Sequence, residues 1–94
     1  MVRVVKMRFR VEEIPAFLEL FNQKKEFIGN FPGCQGVRLL NDVYSPDIYF
    51  TYSHWNSPED LENYRKSTLF NEVWAETKIK FSDKPQAWSF EELA

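Results

Sequence analysis

The chain is short of the residue types from which most recognisable active sites are built. Its 94 residues include one cysteine, one histidine and three glycines. A lone cysteine, Cys34, excludes an internal disulfide, and with His54 as the only imidazole no metal-ligand spacing can be drawn. Three glycines cannot build a phosphate loop or a dinucleotide fingerprint. No Ser-His-Asp or Cys-His constellation can be argued from spacing. A basic excess is also missing: 12 lysines and arginines stand against 14 acidic residues, a net charge of −2, whereas a nucleic-acid-binding domain normally carries a basic excess. No apolar run is long enough to cross a membrane. Arg3, Lys6, Arg8 and Arg10 interrupt any apolar N-terminal segment that would read as a signal peptide. These features point to a cytoplasmic protein of one domain, residues 1–94.

Apolar and aromatic residues, by contrast, are abundant. The chain is 44% hydrophobic and 17% aromatic, a heavy load for a domain whose small size limits how much surface it can bury. The excess suggests a partner surface, most simply a second copy of the same chain.

The period of the pattern switches along the chain. Val5, Met7, Phe9 and Val11 alternate with Lys6, Arg8 and Arg10, which predicts a strand with one apolar and one basic face. Ile14, Phe17, Leu18, Phe21 and Ile28 lie at helical spacing, with Pro15 tolerable in the first turn. Gly29-Asn30 and Pro32-Gly33 end that helix. Val37 to Leu40 reads as a second strand, Asn41 to Pro46 as a turn-rich loop, and Ile48 to Trp55 as the returning strand. Ser57, Pro58, Glu59 and Asp60 form a strong helix start: an N-cap, a proline at the first helical position and acidic residues on the free amides. That helix runs to about Lys66. Ser67-Thr68 interrupts or re-caps it, and Leu69, Phe70, Val73, Trp74 and Thr77 form the next stripe. Lys84-Pro85 breaks it, and Ala87 to Glu91 is a last strand with Trp88 and Phe90 on one side.

The order is βαββαβ, which with right-handed crossovers gives the ferredoxin-like α+β arrangement, an antiparallel sheet with its helices on one face. In the strand at 48–55, Ile48, Phe50 and Tyr52 share one side and Tyr49 and Trp55 the other. A strand apolar on both faces wants cover on both. Two such sheets are therefore expected to pack face to face in a homodimer, a dimeric α+β barrel.

That order, with Phe31-Pro32-Gly33-Cys34, the strand end at Trp55-Asn56-Ser57-Pro58-Glu59-Asp60, and Tyr64-Arg65-Lys66-Ser67 before Phe70, resembles the antibiotic biosynthesis monooxygenase family over roughly residues 2 to 91. The resemblance implies a dimeric barrel. It also implies an activity on the pattern of members that oxidise quinols or polyketide aromatics without a cofactor; others degrade haem, and many have no known activity. The haem-degrading members use a first-strand asparagine, a helix tryptophan and an axial histidine. Aligned on Ser67 and Phe70, these positions hold Met7, Tyr64 and Trp74 here, so no iron ligand is in place. The cofactor-free members draw on asparagine, tryptophan, tyrosine and histidine around the pocket, types that His54, Trp55, Tyr64, Asn71 and Trp74 supply without matching a motif one for one.

The candidate catalytic residues are thus His54, Tyr64, Asn71 and Trp74, with Tyr52, Trp55 and Phe70 as substrate contacts, no cofactor and no metal. The imidazole of His54 suits deprotonation of a phenol or quinol; a hydrogen-bonded histidine at a sheet edge is the plainer alternative. Tyr64 and Trp74, if both face the sheet, flank a cavity for a flat ring; core packing is the alternative. Asn71 either orients a substrate oxygen or faces solvent. Cys34 reads as a small buried residue at a strand start. Lys6, Arg8, Arg10 and Arg38 would form a basic patch inside the barrel, or else pair with acids such as Glu91 and Glu92.

The function expected is a cofactor-independent monooxygenase on a small aromatic or quinol. The rival is a non-catalytic dimeric barrel that binds a small hydrophobic ligand. An RNA-recognition domain shares the element order, with Phe50 and Tyr52 at stacking parity, but the Lys/Arg-Gly pair that precedes its stacking strand is missing. The acylphosphatase-like fragment Gln35-Gly36-Val37 follows the helix rather than the first strand.

Overall fold

The computed structural model describes residues 1–94. Strand β1 (Val2–Arg8) passes through a 3₁₀ turn at Val11–Glu13 into helix α1 (Ile14–Gly29). Strands β2 (Cys34–Asn41) and β3 (Ile48–Trp55) form a hairpin, α2 (Pro58–Arg65) and α3 (Thr68–Lys78) follow as two segments, and β4 (Gln86–Phe90) closes the chain. The strands make one sheet in the order β2-β3-β1-β4, with every neighbouring pair antiparallel. This is the ferredoxin-like α+β fold, with its second helix in two pieces.

Period-two alternation decides which side chains meet the helices. Val5 and Met7 of β1, Tyr49 and Trp55 of β3, and Val37 and Leu39 of β2 pack into the core with the helices. The core forms two clusters. Met7, Phe9, Phe17 and Tyr49 fill one end, and Ile28, Trp55, Leu61 and Tyr64 the other. Burying an aromatic or aliphatic side chain stabilises by about 1.5–3 kcal/mol, so these two groups carry much of the stability of so small a domain.

The other face of the sheet has no helix on it. Opposed residues there form rows: Leu40, Phe50, Lys6 and Gln86; Arg38, Tyr52, Val4 and Trp88. Leu40, Trp88 and Phe90 remain 48%, 39% and 51% exposed there.

The exit from β1 and one core position differ from the sequence pattern. The alternation through Val11 stops short: β1 ends at Arg8, Phe9 keeps only an isolated bridge to Phe81, and Val11 begins the 3₁₀ turn at 70% exposure. Pro15 occupies the first turn of α1; with its φ fixed and no N–H to give, it fits there and not further in, so the chain must already be turning before it. Leu18 is 40% exposed while Leu20 is buried. At about 100° per residue, Leu18 and Leu20 flank the face set by Phe17, Phe21 and Ile28 equally, so the way α1 lies on the sheet decides which of them is buried. The hairpin loop follows its turn chemistry: Asp42 Oδ1 accepts from the amides of Tyr44 and Ser45 at 2.8 and 3.1 Å. No helix is long and apolar enough to cross a membrane.

Candidate active site

Three local devices place the aromatic side chains between sheet and helices. At the end of β3, Trp55 is 3% exposed and its Nε1–H donates to Ser53 Oγ at 2.9 Å. The next amide, Asn56, donates to the Gly33 carbonyl at 2.8 Å. Ser57 then caps α2: its Oγ accepts from the Asp60 amide at 3.2 Å and donates to the Asp60 carboxylate at 3.0 Å. Gly33 has φ +88 and lies against the Asp60 side chain, so the Phe-Pro-Gly-Cys turn and the capped helix fit together only without a β-carbon there. Leu61 and Tyr64, three residues apart, share the buried face of α2. Finally Ser67 Oγ donates to the Tyr64 carbonyl at 2.6 Å and accepts from the Phe70 amide at 3.1 Å. One hydroxyl thus ends α2 and begins α3.

Between the two core clusters the sheet and helices leave a hollow of about 280 Å³, close to the lower bound of about 300 Å³ usual for small-molecule pockets. A continuous series of rings borders it. Trp55 lies 5.1 Å from Tyr64 at 30°, Tyr64 5.2 Å from Phe70 edge-on, and Phe70 stacks on Trp74 at 5.8 Å and 12°. Trp74 continues to Phe81, Phe9 and Phe17. Arg65, Gln86 and Ala87 are the exposed residues of the wall and mark its mouth beside β4, which is exposed along its whole length.

The polar groups on this wall are few. Tyr64 Oη makes no hydrogen bond within the chain, and no sealed side-chain polar atom lacks a partner, so this hydroxyl opens onto accessible space. Burial pushes the Tyr64 phenol well above its ordinary value, and the Cys34 sulfur adds to the shift. It is therefore a neutral donor at any physiological pH. Cys34 is itself pushed up by burial, against a lowering contact from the Gly36 backbone, and does not present a reactive thiolate. The charged residues of the wall are Arg3 and Arg65 alone. Burial lowers the Arg3 guanidinium from its ordinary value, and the neighbouring Arg65 lowers it further, with Glu62 opposing.

The structure divides the sequence-derived candidates between two faces. Tyr64, Trp74, Trp55 and Phe70 all line the hollow. His54 and Tyr52 have the opposite parity in β3; they stand on the bare face, Oη and Nε2 3.3 Å apart, and neither lines the hollow. Asn71 is exposed on α3 and also lies off the wall. Arg8 and Arg10 take the paired alternative rather than joining a basic patch. Arg8 pairs with Asp47 at 2.8 Å, and Arg10 donates to the Ile79 carbonyl at 2.6 Å and reaches Glu13 at 3.8 Å. Lys6 and Arg38 fall in the rows of the bare face. The hollow's positive charge comes instead from Arg3 and Arg65, which the sequence reading passed over. The signal for Arg3 was available: it shares the parity of Val5 and Met7, and an arginine on a strand's apolar side calls for a reason.

The wall carries no histidine or cysteine to ligate a haem iron. No group of three or more histidine, cysteine or acidic residues is arranged to hold a metal ion.

Comparison with known proteins bears on this geometry. A family model described as antibiotic biosynthesis monooxygenase matches residues 1–76. Among solved structures, a conserved protein from Methanosarcina mazei Go1 superposes with a TM-score of 0.85 at 20% identity, covering 92% of this chain and 86% of that one. A structure named as an antibiotic biosynthesis monooxygenase superposes at 0.89 with 16% identity, covering 100% of each chain. Rv0793 from Mycobacterium tuberculosis superposes at 0.89 with 13% identity, covering 99% of this chain and 94% of that one. At these identities the likeness concerns the fold. No curated protein sequence matches the chain.

Proposed function

The chain belongs to the antibiotic biosynthesis monooxygenase family, and on that premise we propose that it is a monooxygenase that oxidises a small aromatic or quinol substrate without a resident cofactor. The observation that carries this reading is the ring-lined hollow with a neutral, unpartnered Tyr64 hydroxyl on its wall. The rings of Trp55, Phe70 and Trp74 suit a flat aromatic substrate, and the phenol donates to its oxygen.

The chemistry balances with the substrate as electron donor. An aromatic ketone or phenol with an activated ring methylene loses a proton, and the resulting anion delivers its electrons to dioxygen. A carbon–oxygen bond forms, the peroxide is protonated, and loss of water leaves a carbonyl. One oxygen atom enters the product, the other leaves as water, and the methylene gives up two hydrogens. The chain's part is to exclude water from the anion, orient it by the Tyr64 donor and hold its charge; such preorganised donors act strongly in a water-poor site.

Oxygen consumption with anthrone-like phenols and quinols, with no metal or flavin added, tests the reading. Uptake with stoichiometric quinone is expected. Uptake that starts only when haem or flavin is supplied overturns it. The wall's lack of any carboxylate or imidazole favours a second reading, a barrel that binds a hydrophobic ligand without turnover; tight binding with no oxygen uptake from any substrate would select it.

The proposal includes a homodimer in which a second copy covers the bare sheet face around Val4, Phe50, Tyr52, Trp88 and Phe90. A lone, unpaired Cys34 suits a reducing compartment, and the reading places the protein in the cytoplasm.

A further inference from the structure

The wall of the hollow carries two guanidinium groups and no acid, in a protein whose net charge is −2. Arg3 rises from β1 on the same side as Val5 and Met7, so its charge lies among apolar neighbours and is half-buried. Its Nη1 donates to Ser89 Oγ at 3.0 Å, across the β1–β4 pair. That is one of five available N–H donors, and no carboxylate lies within ion-pair distance of Arg3, the chain's ion pairs being Arg8–Asp47, Arg10–Glu13 and Arg65–Glu62. Arg65 stands at the mouth, only loosely held by Glu62 at 3.5 Å. The one acid near both, Glu62, is exposed and lies off the wall, so on the side of the hollow the two like charges meet no anion, at a cost in free energy.

We infer that the hollow takes an anion: a flat aromatic ligand bearing an oxyanion, a carboxylate or an acidic phenolate, which meets Arg3 and Arg65 while its rings lie against Trp55, Tyr64, Phe70 and Trp74. The planar fork of a guanidinium matches an oxyanion in two-point contact. The ring series supplies the apolar contact, and Tyr64 Oη gives one more neutral donor. This rests on reading the hollow as the substrate site. It also supplies what the wall lacks. With no carboxylate or imidazole to remove a proton, a site that holds the anion more tightly than the acid lowers the substrate's own pKa. Arg3 and Arg65 are then binding residues that favour the ionised, electron-rich form.

Paired probes test the charge preference without requiring turnover. Binding of 2-naphthoate and of its methyl ester is measured by calorimetry and by quenching of the tryptophan emission, since Trp55 and Trp74 stand on the wall. The naphthoate is expected to bind at least tenfold more tightly, about 1.4 kcal/mol. Arg3→Met should remove most of that preference by weakening naphthoate binding, Arg3→Lys should restore part of it, and Arg65→Met should weaken it. Circular dichroism of each variant reports that the fold is kept, and Arg65, being exposed, gives an arm that folding cannot confound. 2-Naphthol titrated by absorbance distinguishes a phenolate ligand from a carboxylate one, through a lowered pKa on binding. Equal binding of acid and ester by the unmodified protein overturns the inference, as does a preference that survives Arg3→Met and Arg65→Met together. Oxygen uptake from neutral phenols with no charge preference would remove this inference and leave the oxygenase; charge preference with no oxygen uptake from any substrate would do the reverse.

Discussion

The hydroxyl of Ser67 donates to the carbonyl of Tyr64 across 2.6 Å. That bond joins the last turn of α2 to the first turn of α3, because the same Oγ caps the Phe70 amide. The break between the helices is therefore a built corner, and Tyr64, Phe70 and Trp74 are arrayed around it in edge-on and stacked contact. Ser67→Ala removes both bonds. A lost cap costs about 1 kcal/mol, which for a domain of this size lowers the melting temperature by roughly 4–8 °C. Ser67→Thr should recover most of it. Calorimetric melting checks the stability, and oxygen uptake at a temperature where the variant stays folded should show turnover falling too.

The Tyr64 hydroxyl has no protein partner, so Tyr64→Phe should leave stability at neutral pH within about 0.5 kcal/mol. If that hydroxyl donates to the substrate oxyanion, turnover falls by roughly 10²-fold. An unchanged rate in Tyr64→Phe would take the phenol out of the mechanism.

The same residue predicts a pH dependence. Its folded pKa is raised above the ordinary value of 10.0, first by burial and then by Cys34. Below pH 10 the phenol is neutral in both states and its burial carries no ionisation penalty. Above pH 10 the unfolded chain ionises while the folded one resists, so stability is lost as pH rises, by at most about 1.4 kcal/mol per pH unit from this group. Urea unfolding between pH 9 and 11 should show a shallower decline for Tyr64→Phe than for the unmodified protein. Parallel declines would show that Tyr64 ionises normally in the folded state.

His54 and Tyr52 face away from the hollow, so His54→Ala should leave oxygen uptake within about twofold, as expected of a substitution away from the site. A loss of tenfold or more would mean that the imidazole reaches substrate after all. Substitution on the same face should act on assembly. Trp88→Glu places a charge beside Val4 in the middle row of the bare sheet, where burial against a second copy would cost several kcal/mol. Sedimentation at micromolar concentration should show a dimer for the unmodified chain and a monomer for Trp88→Glu. A monomer in both would leave the bare face to some other partner.

Much of this fold was legible from local signals. Ser57 and Asp60 announced the start of α2, Ser67 the restart at α3, and the two-sided apolar pattern of β3 the sheet's second, uncovered face. Parity separates two of the candidates: His54 and Trp55 are sequence neighbours, and period two alone sends them to opposite faces. From Val5 onward the first strand is simply apolar on one side and basic on the other, and only Arg3, two residues before Val5, breaks that division. The exit at Val11 and the choice of Leu20 over Leu18 depend on how α1 lies on the sheet, which no local pattern states. The hollow is a gap between two clusters that are each continuous in space and scattered in sequence, so its walls emerge only with the fold.

The fit of Gly33 against Asp60 leads to the most local prediction. A β-carbon on Gly33 would overlap the Asp60 side chain, and φ is +88. Gly36, at φ +126, has nothing within 4 Å of a β-carbon. Gly36→Ala therefore meets conformational strain alone, of about 1–2 kcal/mol. Gly33→Ala meets the strain and also drives Asp60 from its bond to the Ser57 hydroxyl, adding about 1 kcal/mol of capping. Gly33→Ala should thus melt lower than Gly36→Ala. In the Asp60→Gly background the extra cost of Gly33→Ala should shrink, since neither the β-carbon nor the carboxylate of residue 60 is there to displace. A double-mutant cycle measured by urea unfolding checks both points. Equal costs for the two glycines, or a cycle with no coupling, would mean that the turn and the capped helix are not in fact wedged together.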